Sequence, residues 1–203
     1  MKNSELCEKL DLMISDPKCE LNYNRDYELL IAVMLSAQST DKRVNIVTKS
    51  LFSKYTLKDL SSLDLSILEK ELKSLGSYTK KAYYTQKIAQ NLLRDYDGKV
   101  PNNREYLENL PGVGRKTCNV VLSELFDIPT MAVDTHVERV SKRIDLVEET
   151  DGVKVIEEKL MNFFEENTYN RVNHQLVLFG RYICTAKNPN CDQCLINCKH
   201  KKN

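Results

Sequence analysis

The sequence predicts an all-α fold, and three observations carry that prediction. Apolar residues recur at helical spacing along most of the 203-residue chain. Alternation with period two is nowhere sustained. No low-complexity linker or short repeat interrupts the helical pattern. The length suits one large domain or two small lobes.

Element by element, "DYELLIAVMLSAQ" is apolar almost all round, which predicts a buried central helix. Asp41 is positioned to cap the next, where Val44, Val47 and Leu51 follow helical spacing. Leu65, Leu68, Leu72 and Leu75 mark another, with Gly76 as its stop. Ala82, Ala89 and Leu92 support a helix ending at "DYDG". In "NNREYLENL", Asn102 as cap with Glu105 three residues on resembles a capping box. Further helices are expected at 115–126, 135–146, 153–165 and 172–183.

Composition excludes some classes. Charged residues make up 29% and hydrophobic ones 41%, an ordinary globular balance, and no apolar run approaches the ~18 residues of a membrane span. The opening "MKNSELCEKL" has no apolar signal core, so a cytoplasmic protein is expected, nucleoid-associated if bacterial. Net charge is +1, but the charge is unevenly placed. Arg181 to Asn203 carries five Lys/Arg against Asp192 alone, and Gly76 to Lys116 carries eight against four acids. Two basic segments on a nearly neutral chain suggest a polyanion-binding face.

"LENLPGVGRKTCNVVL" is the most informative stretch. Leu110 ends a helix that Pro111 cannot continue. Gly112 and Gly114 permit a tight path around Val113, and a new helix starts near Arg115. Unpaired amides and partial positive charge at that helix start, beside bare glycine backbone, form a grip for a phosphate. This helix–hairpin–helix would position a duplex without reading bases; a simple corner between two helices is the alternative. Lys116 lies in the first helical turn beside another cation, where both effects disfavour the ammonium form and suit a Schiff-base nucleophile. It serves equally well as one more phosphate contact. In "MAVDTHVERV", Asp134 precedes a helical segment and as its cap would be held ionised by backbone amides. A carboxylate near DNA repels phosphate and makes more sense where a cation develops during reaction.

The C-terminus has the sharpest spacing, Cys184, Cys191, Cys194 and Cys198 in a C-x6-C-x2-C-x3-C pattern. Four thiols on a short loop-rich segment, with no secretion signal, point to metal rather than disulfides. Zinc and an iron–sulfur cluster both fit four cysteines. Cys7, Cys19 and Cys118 are scattered and read as small hydrophobes.

"ELLIAVMLSAQSTD", "LENLPGVGRKTCNVVL", "AVDTH" and "LVLFGRYIC" followed by the cysteines resemble, in order, the endonuclease III family from about residue 20 to residue 198. These are base-excision-repair DNA glycosylases with AP-lyase activity. The resemblance implies a two-lobed helix–hairpin–helix glycosylase fold with DNA lying in the groove between the lobes. A six-helix barrel lobe would occupy 20–132, with the hairpin at about 103–126. Residues 1–19 with 133–203 would form the lobe of a [4Fe–4S] cluster held by the loop 184–198. It also implies a monomer acting on duplex DNA with damaged pyrimidines or abasic sites, and no membrane partner. By resemblance, Lys116 is the catalytic lysine and Asp134 the catalytic aspartate. Gln38 matches a glutamine that fills the hole left by the flipped base. Gly112, Val113, Gly114 and Arg115 contact DNA, joined by Lys187 and Lys199 of the basic C-terminal segment. Glu108 matches a position facing the family's pocket, and structural roles are expected for His136 and His174.

Two features depart from the family pattern. The last cysteines are usually spaced C-x2-C-x5-C, against C-x2-C-x3-C here, and Ser77 stands where a bulky apolar wedge often enters the DNA. Mispair-specific adenine glycosylases of the same superfamily characteristically lack the lysine at position 116 and usually carry an extra C-terminal domain, so Lys116 and a chain ending at 203 point away from them. A non-catalytic DNA-binding protein with a structural metal and a redox protein are the competing classes, and the Lys116 and Asp134 motifs argue against both.

Overall fold

In the computed structural model, which describes residues 2–198, the path runs through α1 (Asn3–Met13), α2 (Asp26–Leu35), α3 (Asp41–Lys54), α4 (Leu57–Ser62), α5 (Leu65–Leu72), α6 (Tyr78–Tyr96), α7 (Arg104–Asn109), α8 (Arg115–Phe126), α9 (Thr135–Arg143), α10 (Val153–Phe163) and α11 (Tyr169–Tyr182). Among the described residues there is no strand, and no helix is long and apolar enough to cross a membrane. The fold is all-α.

Glu20–Phe126 forms one compact unit. Its axis is α2, in which every residue from Tyr27 to Leu35 is buried, Glu28 included. Helices α3, α6 and α8 pack around it. Each fully buried leucine there contributes roughly 1.5–3 kcal/mol. Helix α4 was not anticipated by spacing. Thr56 and Asp59 start it with a reciprocal capping box. Two expected caps shift by one residue. Thr40 rather than Asp41 caps α3, its hydroxyl accepting from Arg43 N. Asn103 rather than Asn102 caps α7, accepting from Tyr106 N at 3.0 Å.

The described residues before Glu20 and after Phe126 form the second unit. Leu6 and Leu10 of α1, Val137 and Val140 of α9, and Leu176 and Phe179 of α11 share its core. Residues 127–132, expected with the first lobe, belong here. Met131 is in this core, and the Asn173 amide holds both Ala132 N (3.2 Å) and Ala132 O (3.0 Å). At Gly180 a Cβ would stand 2.9 Å from His136 Cβ, so α11 approaches α9 as closely as glycine allows.

Candidate active site and cysteine pocket

The hairpin joins α7 to α8. Val113 N donates to Leu110 O (3.0 Å), Val113 is buried, and Gly114 O accepts the first bond of α8 from Cys118 N (2.9 Å). The two glycines have different reasons to be glycine. Gly112 has φ 81°, and a Cβ there would meet the Tyr84 ring at 2.5 Å. Gly114 is exposed, and a Cβ there would meet nothing within 4 Å. Turn and packing therefore exclude a Cβ at Gly112, whereas Gly114 leaves the start of α8 open. Arg115 is exposed and Lys116 half-buried on the first turn of α8. Glu108 pairs with Arg104 (2.9 Å), which also donates to the buried Asn119 (2.8 Å).

Gln38 lies exposed in the turn after α2 with φ 55°, and Ser77, also exposed, precedes α6 with φ 56°. The basic segment 76–116 is less of a free face than its sequence suggests. Lys81 is buried, Arg94 is paired with Asp95 and Arg104 with Glu108.

In the second unit Asp134 caps α9, as its place before a helical segment predicts. Its Oδ1 accepts from both His136 N and Val137 N at 2.8 Å. Both bonds fall on one oxygen, so among the described residues Oδ2 accepts none. The carboxylate is held in place with one face uncommitted. His136 lies half-buried, and burial lowers its pKa, which favours the neutral ring.

Helix α9 also grips the cysteine loop. Arg139 donates to Gly180 O (2.6 Å) and Cys184 O (3.1 Å). One turn on, Arg143 donates to Thr185 O (2.7 Å) and Ala186 O (2.9 Å) and lies 3.4 Å from Cys184 Sγ. Neither arginine was singled out in the sequence. Their spacing on α9 was visible, but their acceptors are loop carbonyls far along the chain.

Cys184, Cys191, Cys194 and Cys198 line one small pocket, walled by Ile144 and Phe179. The short spacer therefore does bring Cys198 to the other three. Among the described residues no three His, Cys, Asp or Glu side chains close up as ligands of a single ion would. Four thiols, an apolar wall and a guanidinium beside one sulfur suit an anionic thiolate-bound group. Lys187 is exposed on the same loop, and Lys199 lies outside the described residues.

Residues 31–166 match the family model described as HhH-GPD superfamily base excision DNA repair protein. The chain is 44% identical to Endonuclease III of Bacillus subtilis strain 168, over 96% of this chain and 90% of the relative. It is 40% identical to Endonuclease III of Escherichia coli K12, over 99% and 96%. A solved trapped endonuclease III–DNA covalent intermediate has a TM-score of 0.91 at 44% identity, covering 97% of this chain and 94% of that one. A thermostable thymine-DNA glycosylase, TM-score 0.81 at 23% identity over 95% of this chain and 92% of that one, shares the fold. With the hairpin, the capped Asp134 and the cysteine pocket all within the matched length or beside it, the chain belongs to the endonuclease III family of the HhH-GPD superfamily.

Proposed function

We propose that this protein removes oxidised pyrimidines from duplex DNA with Lys116 as nucleophile and Asp134 as its electrostatic partner. As a member of its family it is a DNA glycosylase and AP lyase of base excision repair. The observation that carries the residue assignment is Lys116 on the first turn of α8, two residues past the open Gly114. Phosphate gripped at that helix start places a deoxyribose within reach of the side chain.

The chemistry follows in order. The damaged nucleotide leaves the stack, helped by its weakened stacking and pairing. Gln38 fills the space it vacates. The Lys116 amine forms a bond to C1′ as the glycosidic bond breaks and its electron pair leaves with the base. The uncommitted Asp134 oxygen stabilises positive charge developing on the sugar. Loss of the amine proton and opening of the sugar ring yield a Schiff base between Lys116 and C1′. Loss of a C2′ proton to a base, Asp134 in this reading, then expels the 3′ phosphate and cleaves the strand by β-elimination. Gly112, Val113, Gly114 and Arg115 hold the backbone meanwhile, and Lys187 and Lys199 add positive charge. In this reading the protein acts as a monomer.

In the same reading Glu20–Phe126 is the barrel lobe. Cys184, Cys191, Cys194 and Cys198 would hold a [4Fe–4S] cluster in the other unit. When bound, the cluster supplies iron–thiolate bonds that fold a loop-rich segment with little core of its own.

Borohydride trapping on a duplex with one abasic site tests the proposal and separates a lyase from a non-catalytic binder. The chain should give a covalent adduct. Lys116→Gln should bind the duplex yet give neither adduct nor strand cleavage. Undiminished trapping by Lys116→Gln would remove Lys116 from the mechanism.

A further inference from the structure

The turn between α2 and α3 is closed by Ser39 N donating to Ser36 O at 3.0 Å. Gln38 sits within it at φ 55°, left-handed backbone that a residue with a Cβ rarely adopts. Such a conformation persists only where the surroundings over-determine it.

Lys81, on the first turn of α6, supplies that determination. It is 4% exposed. Its ammonium donates to Ala37 O at 2.8 Å and to Ser39 Oγ at 3.1 Å, the two residues flanking Gln38. Burial lowers the pKa of this amine, and no carboxylate offsets it. A lysine desolvated without a counter-charge is an expensive anchor. Other contacts join the same turn to the loop before α6. Arg43 Nη1 donates to Ser74 O at 3.1 Å, and a Cβ on Gly76 would lie 3.6 Å from Gln38 O. The left-handed Gln38 and the left-handed Ser77 thus stand exposed on neighbouring loops, with buried Lys81 and exposed Arg43 joining the turn to the start of α6 and the loop before it.

We propose that Lys81 is a positioning residue: by bridging Ala37 and Ser39 it fixes the turn that presents Gln38 to the gap left by an extruded nucleotide. This rests on the reading of Gln38 given above. Lys81 touches no substrate in this scheme and acts through Gln38 alone.

The test is a double-mutant cycle on the full chain. The readout is affinity for a duplex carrying a tetrahydrofuran abasic analogue, divided by affinity for the undamaged duplex. Denaturation midpoints are measured alongside. Lys81→Met keeps the aliphatic stem and removes the charge. It should lower the ratio about 10-fold, the worth of one charge-assisted hydrogen bond, and leave undamaged-duplex affinity unchanged. Gln38→Ala should lower the ratio by a similar factor. Lys81→Met added to Gln38→Ala should lower it by less than about 2-fold, because the residue it positions is gone. Independent losses that multiply in the double variant would mean Lys81 only stabilises the fold and would overturn the proposal. No change in the ratio on Gln38→Ala would remove the reading of Gln38, and the positioning role with it. If Lys81→Met does not fold, Ser39→Ala deletes one ammonium acceptor on a half-buried residue and runs the same cycle. It should lower the ratio about 3-fold in the parent and not at all beside Gln38→Ala; equal losses in both backgrounds would overturn the proposal.

Discussion

The two hairpin glycines should separate folding from DNA binding. Gly112→Ala meets two obstacles. Its φ of 81° costs a Cβ about 1–2 kcal/mol. The new methyl would also stand 2.5 Å from Tyr84 Cδ2 and 2.9 Å from Cγ, an overlap with a ring that cannot swing away like a flexible chain end. Overpacking of this kind costs about 1–3 kcal/mol. The sum is roughly 2–5 kcal/mol of stability, a large share of the ~5–15 kcal/mol typical of a folded chain. Guanidinium unfolding followed by circular dichroism measures it. Repeating the substitution in a Tyr84→Ala background removes the overlap, so the cost should fall to the backbone component of about 1–2 kcal/mol. Gly114→Ala meets nothing within 4 Å, so its stability should stay within about 0.5 kcal/mol of the parent. Its methyl nevertheless stands on the open approach to the α8 amides and should weaken duplex binding about tenfold, the loss of one hydrogen bond to a charged phosphate. A Gly112→Ala cost below about 0.5 kcal/mol, or one unchanged without Tyr84, would refute the packing argument. Undiminished duplex binding by Gly114→Ala would refute the phosphate approach.

Asp134→Asn retains an oxygen for His136 N and Val137 N, so folding should change by less than about 1 kcal/mol while single-turnover base excision falls by roughly 10²-fold or more. Excision that fell only in step with stability would make Asp134 a cap and nothing else. Ser77 is exposed and too small to wedge a duplex apart, so Ser77→Leu should leave lesion-duplex affinity unchanged or raise it. A severe loss with folding intact would show that this loop meets DNA differently. Cys198→Ser should give protein poor in iron, with weak broad visible absorption and reduced stability, when purified without oxygen. Full iron content in that variant would point away from Cys198 as a ligand, and about one zinc with no iron in the parent would exclude the cluster.

The sequence by itself determined the local events. Helical spacing placed most helices because a buried face must recur at the helical period, as the all-buried run Tyr27–Leu35 shows most plainly. Pro111, Gly112 and Gly114 marked the hairpin, and Asp134 its helix start, because turn and cap chemistry acts within a few residues. The four cysteines were legible as a set because their spacing is short-range in the chain, and the structure brings them to one pocket. What tertiary structure alone decided are partners far apart in sequence. Lys81 read as one more cation of a basic segment, yet its acceptors lie at Ala37 and Ser39, more than 40 residues away. Gly112 read as bare backbone for phosphate, and only packing revealed Tyr84 against it. Arg139 and Arg143 carried no sequence signal, and only the return of the chain brought Cys184 to them. Periodicity reports which side of a helix is buried; which atoms meet it there depends on contacts that no local pattern encodes.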